Sequence, residues 1–317
     1  MGQEFSCPIF LIIIMQIKLR GYLLLFALIL FIIDTICQFS INTQISFLIF
    51  ILILFGVPHG ALDLYIDQHL HPSEKGQKVF LIKYLANILA YALVWYFFPI
   101  AALIIFILIT AFHFGEIDWM GKTHLLIHKI IYTLLGFAWI LFMLTKNINF
   151  ALDVFLTMGR SSIKKEGIIA LAHTLYPVSI LSILGLHFVL FFFKNIFFEK
   201  SSHYYYSILQ AAVLISFVLF MPLWLSFAFY FGFWHSLLSF DKIRINFEVS
   251  NTFKGWSSLL FKAAPFSIVA WFGFAYITFL TLNSKDASGV FTLLFISLSV
   301  LALPHLQVFT KLKLPSN

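Results

Sequence analysis

The sequence predicts an all-α fold: a polytopic transmembrane helical bundle of about ten spans, with eight to ten as the range. Three observations predict it. Of the 317 residues, 62% are hydrophobic and only 10% are charged, where a soluble domain carries about a quarter charged residues. The apolar residues, 41 phenylalanines among them, gather in runs of roughly twenty, the length a helix needs to cross a bilayer. Those runs do not alternate apolar with polar side chains, which excludes a closed β-barrel, the other architecture that satisfies its backbone in lipid.

Taken in order, residues 1–20 read as an apolar but irregular lead ending in Lys18 and Arg20. The lead lacks the basic n-region of a cleavable signal peptide. Span one runs from Gly21 to Phe39, span two from Ile45 to Ile66, and span three from Val79 to Phe98 after the polar stretch Asp67 to Lys78. Pro99 marks a tight reversal into span four, Ile100 to Trp119. Span five is His124 to Thr145, and a longer connection from Lys146 to Gly167 leads to span six, Ile168 to Phe193, with Pro177 as an expected kink. Span seven is Tyr204 to Met221, and Pro222 turns the chain into span eight, Leu223 to Phe240. Asp241, Lys242, Arg244, Glu248 and Lys254 read as a polar connection before span nine, Trp256 to Leu282 with Pro265 inside it. Span ten is Ser288 to Phe309. No repeat and no linker divides the chain, so residues 1–317 are expected to form a single integral membrane domain.

The net charge of +7 excludes little by itself. In a membrane protein a lysine and arginine excess marks cytoplasmic connections rather than nucleic-acid binding. A ten-span arrangement puts Lys18, Arg20, Lys75, Lys78, Lys122, Lys129, Lys194, Lys200, Lys242, Arg244, Lys254, Lys311 and Lys313 on that side. Only Lys146, Arg160, Lys164, Lys165 and Lys285 are left outside. The expectation is therefore a multi-pass protein of the cell (inner) membrane with both termini cytoplasmic. Cys7 and Cys37 have neither disulfide nor thiolate-metal spacing.

Chemistry concentrates in four short stretches: Gly56-Val57-Pro58-His59-Gly60-Ala61-Leu62-Asp63, Ala111-Phe112-His113-Phe114-Gly115-Glu116, Phe233-Trp234-His235-Ser236 and Leu303-Pro304-His305. Each places a histidine about fifteen residues into an apolar run, and an intramembrane imidazole points to function by default. In the ten-span arrangement all four fall in one layer, some 5–10 Å below the cytoplasmic boundary. A bundle can gather residues of equal depth into a core site. Alone, any one of them is explained by an interhelical hydrogen bond; four at one depth point to a shared metal. Asp63 lies four residues after His59 and Glu116 three after His113, so each can orient or balance its neighbour. Gly60 and Gly115, beside these histidines, allow close helix approach. His69, His71, His124, His128 and His203 read as wet residues at loops or span ends, His173 as lying at the wrong depth, and His187 as the reserve ligand. Ser-His-Asp contexts, phosphate-cradling glycine loops, CxxC pairs and the clustered histidine boxes of membrane desaturases are absent. An all-imidazole set suits iron, copper or zinc.

These motifs, in this order from about residue 45 to 310, resemble the Brp/Blh family of bacterial and archaeal membrane β-carotene 15,15'-dioxygenases. The resemblance implies a non-haem ferrous iron, Fe(2+), held by His59, His113 and His235, with molecular oxygen as co-substrate. It implies cleavage of β-carotene at the central double bond to two all-trans-retinal molecules, and a functional link to a rhodopsin. Many members carry a second histidine four residues after the tryptophan-histidine pair, where this chain has Ser239, and often one after the first-motif aspartate, where it has Leu64. Ser239 then belongs with Asp63 and Glu116 behind the ligands, and the fourth ligand is His305, His187 or water. A carotene enters from the bilayer and needs a long apolar cavity. Phe112, Phe114, Phe231 and Trp234 flank the histidines and are its expected walls. Three other readings remain open: a non-catalytic carotenoid- or retinal-binding protein that assists rhodopsin biogenesis, a haem protein using two histidines as axial ligands, and a transporter with a histidine proton relay.

Overall fold

In the computed structural model, residues 8–119, 125–149, 151–152, 165–198, 201–282 and 287–312 are described. All regular structure among them is helical. The elements are α1 (Pro8–Cys37), α2 (Ile41–Ile51), π1 (Leu52–Gly56), α3 (Val57–Ala61), α4 (Asp63–Leu70), α5 (Glu74–Phe97), α6 (Pro99–Asp118) and α7 (Leu126–Lys146). They continue as α8 (Lys165–Phe192), α9 (Lys194–Phe197), α10 (Ser201–Phe220), α11 (Leu223–Phe227), π2 (Ala228–His235), α12 (Ser236–Asn246), α13 (Phe253–Leu282) and α14 (Ala287–Phe309). Among the described residues nine helical stretches are long and apolar enough to cross a membrane, and Phe295–Phe309 is a shorter apolar helix. The polytopic helical bundle expected from composition is borne out. His124, Arg160, Lys164, Lys285 and most of the connection between spans five and six lie outside the described residues.

Two expected connections are corrected. Residues 8–20 are not an irregular lead: they continue without a break into α1, and Arg20 is buried within that helix. Asp241, Lys242 and Arg244 are not a loop after span eight, because α12 carries them to Asn246 and buries all three. The physical reason is local neutralisation. Arg244 Nε donates to Asp241 Oδ1 at 2.8 Å, its second nitrogen lies 2.7 Å from the same oxygen, and Nη1 donates to the Val249 carbonyl. Lys242 lays its ammonium over the Phe309 ring, 4.9 Å from the centroid.

The chain divides into two compact units, one of Met1–Ile66, Gln210–Ser267 and Val308–Asn317, the other of Asp67–Leu209 and Ile268–Gln307. In the second, Tyr91 and Trp95 of α5 pack with Ala102 of α6 and Val300 of α14. Tyr91 donates its hydroxyl to the Ala102 carbonyl at 2.8 Å, which fastens α5 to α6 across the Phe98–Pro99 reversal. The α6 and α7 helices touch backbone to backbone. A Cβ on Gly115 would overlap the Tyr132 carbonyl, and one on Gly136 would overlap the Ala111 carbonyl. Lipid gives apolar helices no hydrophobic reason to associate, so such small-residue contacts carry the packing.

Gly115→Ala and Gly136→Ala are therefore each expected to force α6 and α7 apart. A loss of about 1–3 kcal/mol should appear as a lowered unfolding temperature of the detergent-solubilised protein, whereas Gly185→Ala, where the added methyl meets open space, should leave it unchanged.

Candidate metal centre

Four buried histidines form two pairs, one within each unit. In the first unit His59 follows π1. Pro58 has no N–H to offer the preceding turn, and the chain takes the wider winding, with the Val57 N–H reaching back five residues to the Leu52 carbonyl. His59 Nδ1 lies 3.4 Å from the Phe55 carbonyl, to which it donates when that nitrogen carries the proton. His235 ends π2. Behind it, both the N–H and the hydroxyl of Ser236 donate to the Phe231 carbonyl, the latter at 2.8 Å, and so hold the same five-residue winding. His235 is wholly buried, with Nε2 3.5 Å from Ser239 Oγ one turn on.

A glycine brings π2 against the end of α2. A Cβ on Gly232 would overlap Ile51 Cγ2, and one on Gly56 would sit 2.7 Å from Leu52 Cδ2 and 3.6 Å from Phe231 Cε1. The two imidazoles then stand nearly perpendicular, with ring centres 5.6 Å apart and ring nitrogens within 4.8 Å of each other. Phe231 flanks both, edge-on to His59 and stacked on His235, at 6.1 Å in each case.

The second unit repeats the pairing on other elements. His113 of α6 and His305 of α14, which follows Pro304 in the helix, are both buried, and their rings stand perpendicular with centres 5.0 Å apart. Phe114 is buried with its ring centre 6.2 Å from that of His113, and Phe112 is half-buried.

A metal–nitrogen bond of about 2.1 Å holds the ring centres of two imidazoles on one ion roughly 4.5–6 Å apart. Both pairs have that spacing. The donors are neutral when unprotonated, and they lie out of water. The residues fit a late first-row metal such as iron, zinc or copper.

The remaining predicted residues fall as follows. Asp63 is buried at the start of α4. Glu116 is half-buried on α6. Trp234 is fully buried, with the Arg20 guanidinium 5.6 Å from its ring centre, so its face is taken by packing. His187 donates from Nδ1 to the Ile183 carbonyl at 2.8 Å and packs edge-on against Trp119, not against the His113–His305 pair. Two wet assignments are corrected: His128 is fully buried against Phe197, and His203 is buried as well. Sequence reasoning missed Arg20, Gly56 and Gly232 as parts of the site. The available signal was the shared spacing Gly-x-x-His in Gly56–His59 and Gly232–His235.

The profile of the family described as Beta-carotene 15,15'-dioxygenase matches residues 50–313, a stretch that includes all four histidine segments and leaves α1 outside. The chain belongs to this family. A curated relative, the Beta-carotene 15,15'-dioxygenase of uncultured marine bacterium 66A03, is 38% identical over 72 residues, which cover 22% of this chain and 26% of the relative. That match spans about a quarter of the relative's length. No solved structure matches. The resemblance read from the histidine motifs is thus borne out at the level of the family.

The contact between π2 and the end of α2 has a specific test. Gly232→Ala should lower the yield of monodisperse protein and its unfolding temperature, and the second change Ile51→Ala, which removes the side chain in the way, should recover both.

Proposed function

We propose that His59, His113, His235 and His305 share one ferrous iron within the membrane. On this reading the chain cleaves β-carotene at the 15,15' double bond, exchanging one carbon–carbon double bond for two carbonyl groups and releasing two all-trans-retinal molecules. The observation that carries it is the pair of buried, perpendicular imidazole couples at metal-ligand spacing, in a chain of this family. When bound, iron supplies the redox capacity to activate molecular oxygen.

The chain's own residues supply everything else. The Phe55 carbonyl orients the His59 ring through Nδ1. Ser239 holds the far side of His235, in the place where a further ligand would otherwise stand. The substrate is an unfunctionalised hydrocarbon, so it is recognised by shape and apolar burial rather than by polar anchors. On this reading Phe231, stacked on Phe227 with ring centres 5.4 Å apart, together with Phe112, Phe114 and Trp234, would supply apolar walls for such a rod. These walls keep water away from the reacting bond. The bilayer delivers the substrate, molecular oxygen is the co-substrate, and an opsin is the natural acceptor of the product.

The test is expression in bacteria that accumulate β-carotene, with carotene and retinal quantified by chromatography and iron by mass spectrometry of the purified protein. Carotene should disappear and retinal appear. His59→Ala, His113→Ala and His235→Ala should each lose iron and product while remaining in the membrane, whereas His187→Ala should keep both. Inserted, iron-loaded protein that leaves carotene intact would overturn cleavage and favour carotenoid binding, with Ser239 as the point of departure.

A further inference from the structure

An arginine inside an apolar helix is costly and persists only where partners repay its burial. Arg20 sits 6% exposed in α1 and reaches three elements of its unit. Its Nη1 donates to Gln210 Oε1 of α10 at 3.0 Å, and Gln210 is itself fully buried. Its guanidinium lies over Trp234, the residue before His235 in π2. It is also close enough to Asp241, on the next helix, for their charges to interact. The region matched by the family begins at residue 50, so nothing in that match assigns Arg20 a role.

The segment it grips is the one least able to hold its own shape. A π-helix is wider than an α-helix and rare, because its winding is less favourable. Relaxation of π2 to α winding would turn the residues beyond it by about 100° around the axis, one residue's share of a turn. Such a turn would slide Trp234 off the guanidinium and swing the His235 ring away from His59. The two movements are linked because the side chains are adjacent in the chain.

We propose that Arg20 is a positioning residue for His235: held by Gln210, it clamps the Trp234 ring and thereby keeps π2 in the winding that aims His235 at His59. The value of that aim for metal binding rests on the iron site proposed above.

The test uses full-length protein in detergent, freed of metal, in two measurements. In the first, cobalt(II) is titrated anaerobically and its visible ligand-field bands are followed. Arg20→Met should weaken binding about 10-fold, the lower end for loss of a support behind a ligand, and should change the band pattern. Arg20→Lys, which keeps a cation over Trp234 and a donor for Gln210, should recover most of the loss. Leu259→Ala, a truncation at a wholly buried position of the same unit, should lower the unfolding temperature and leave affinity and bands alone. In the second, the ring signals of 13C-labelled histidines are recorded without metal. Those of His59 and His235 should shift together in Arg20→Met, while those of His113 and His305 stay in place. Unchanged His59 and His235 signals, or an affinity loss in Leu259→Ala equal to that in Arg20→Met, would overturn the clamp. Absence of cobalt bands in the unmutated protein would instead remove the metal site, and the histidine signals would still decide the clamp.

Discussion

Close backbone approach is the constraint on which the histidine pairs depend. In lipid, apolar side chains gain nothing by leaving the hydrocarbon for a neighbouring helix, so helices associate where small residues let backbones touch or where polar groups meet. Both devices occur beside the imidazoles. Gly232, three residues before His235, lets π2 meet Ile51 at the end of α2 in one unit. Gly115, two residues after His113, lets α6 meet α7 in the other. An imidazole buried at such a contact is held by neighbours on every side, as a metal ligand must be if its direction is to be set before the ion arrives.

The π winding serves the same end by different means. A helix in α register has no freedom to choose where its next side chain points, whereas an inserted residue re-aims everything after it. Pro58 withholds a backbone donor in the first segment. In the second, Ser236 sends both its donors to the Phe231 carbonyl. Each device lies next to the histidine it directs, one residue before His59 and one after His235.

The spans were legible because length and apolarity decide them, and a charge-free run of twenty residues has few alternatives to a transmembrane helix. The four histidines were legible because an imidazole in such a run is conspicuous. Charge misled where it was taken as a sign of solvent. Arg20, Asp241, Lys242 and Arg244 all read as connection residues, yet each is buried in a helix. Their partners are set by the fold: a ring beneath one cation, a buried amide beside another, and a carboxylate one turn away. His128 misled for the same reason, since its burial against Phe197 depends on the packing of α9 near the start of α7. The π segments left only the weak traces of a proline and two glycines, because winding depends on which carbonyls find donors across several residues at once.

Charge balance is the demand that the proposed metal would make on its surroundings. Four neutral imidazoles bring no charge to offset a divalent ion, and an uncompensated double charge in a medium of low dielectric is strongly disfavoured. Each unit supplies a carboxylate close in sequence to one of its ligands: Asp63, buried and four residues after His59, and Glu116, half-buried and three after His113. A carboxylate next to a ligand in sequence would offset such a charge without occupying a position on the metal. A carboxylate bound directly would do the same at the cost of an open position. On the reading proposed above, a nearly neutral site suits a polyene hydrocarbon, which has no polar group to pair with a local charge.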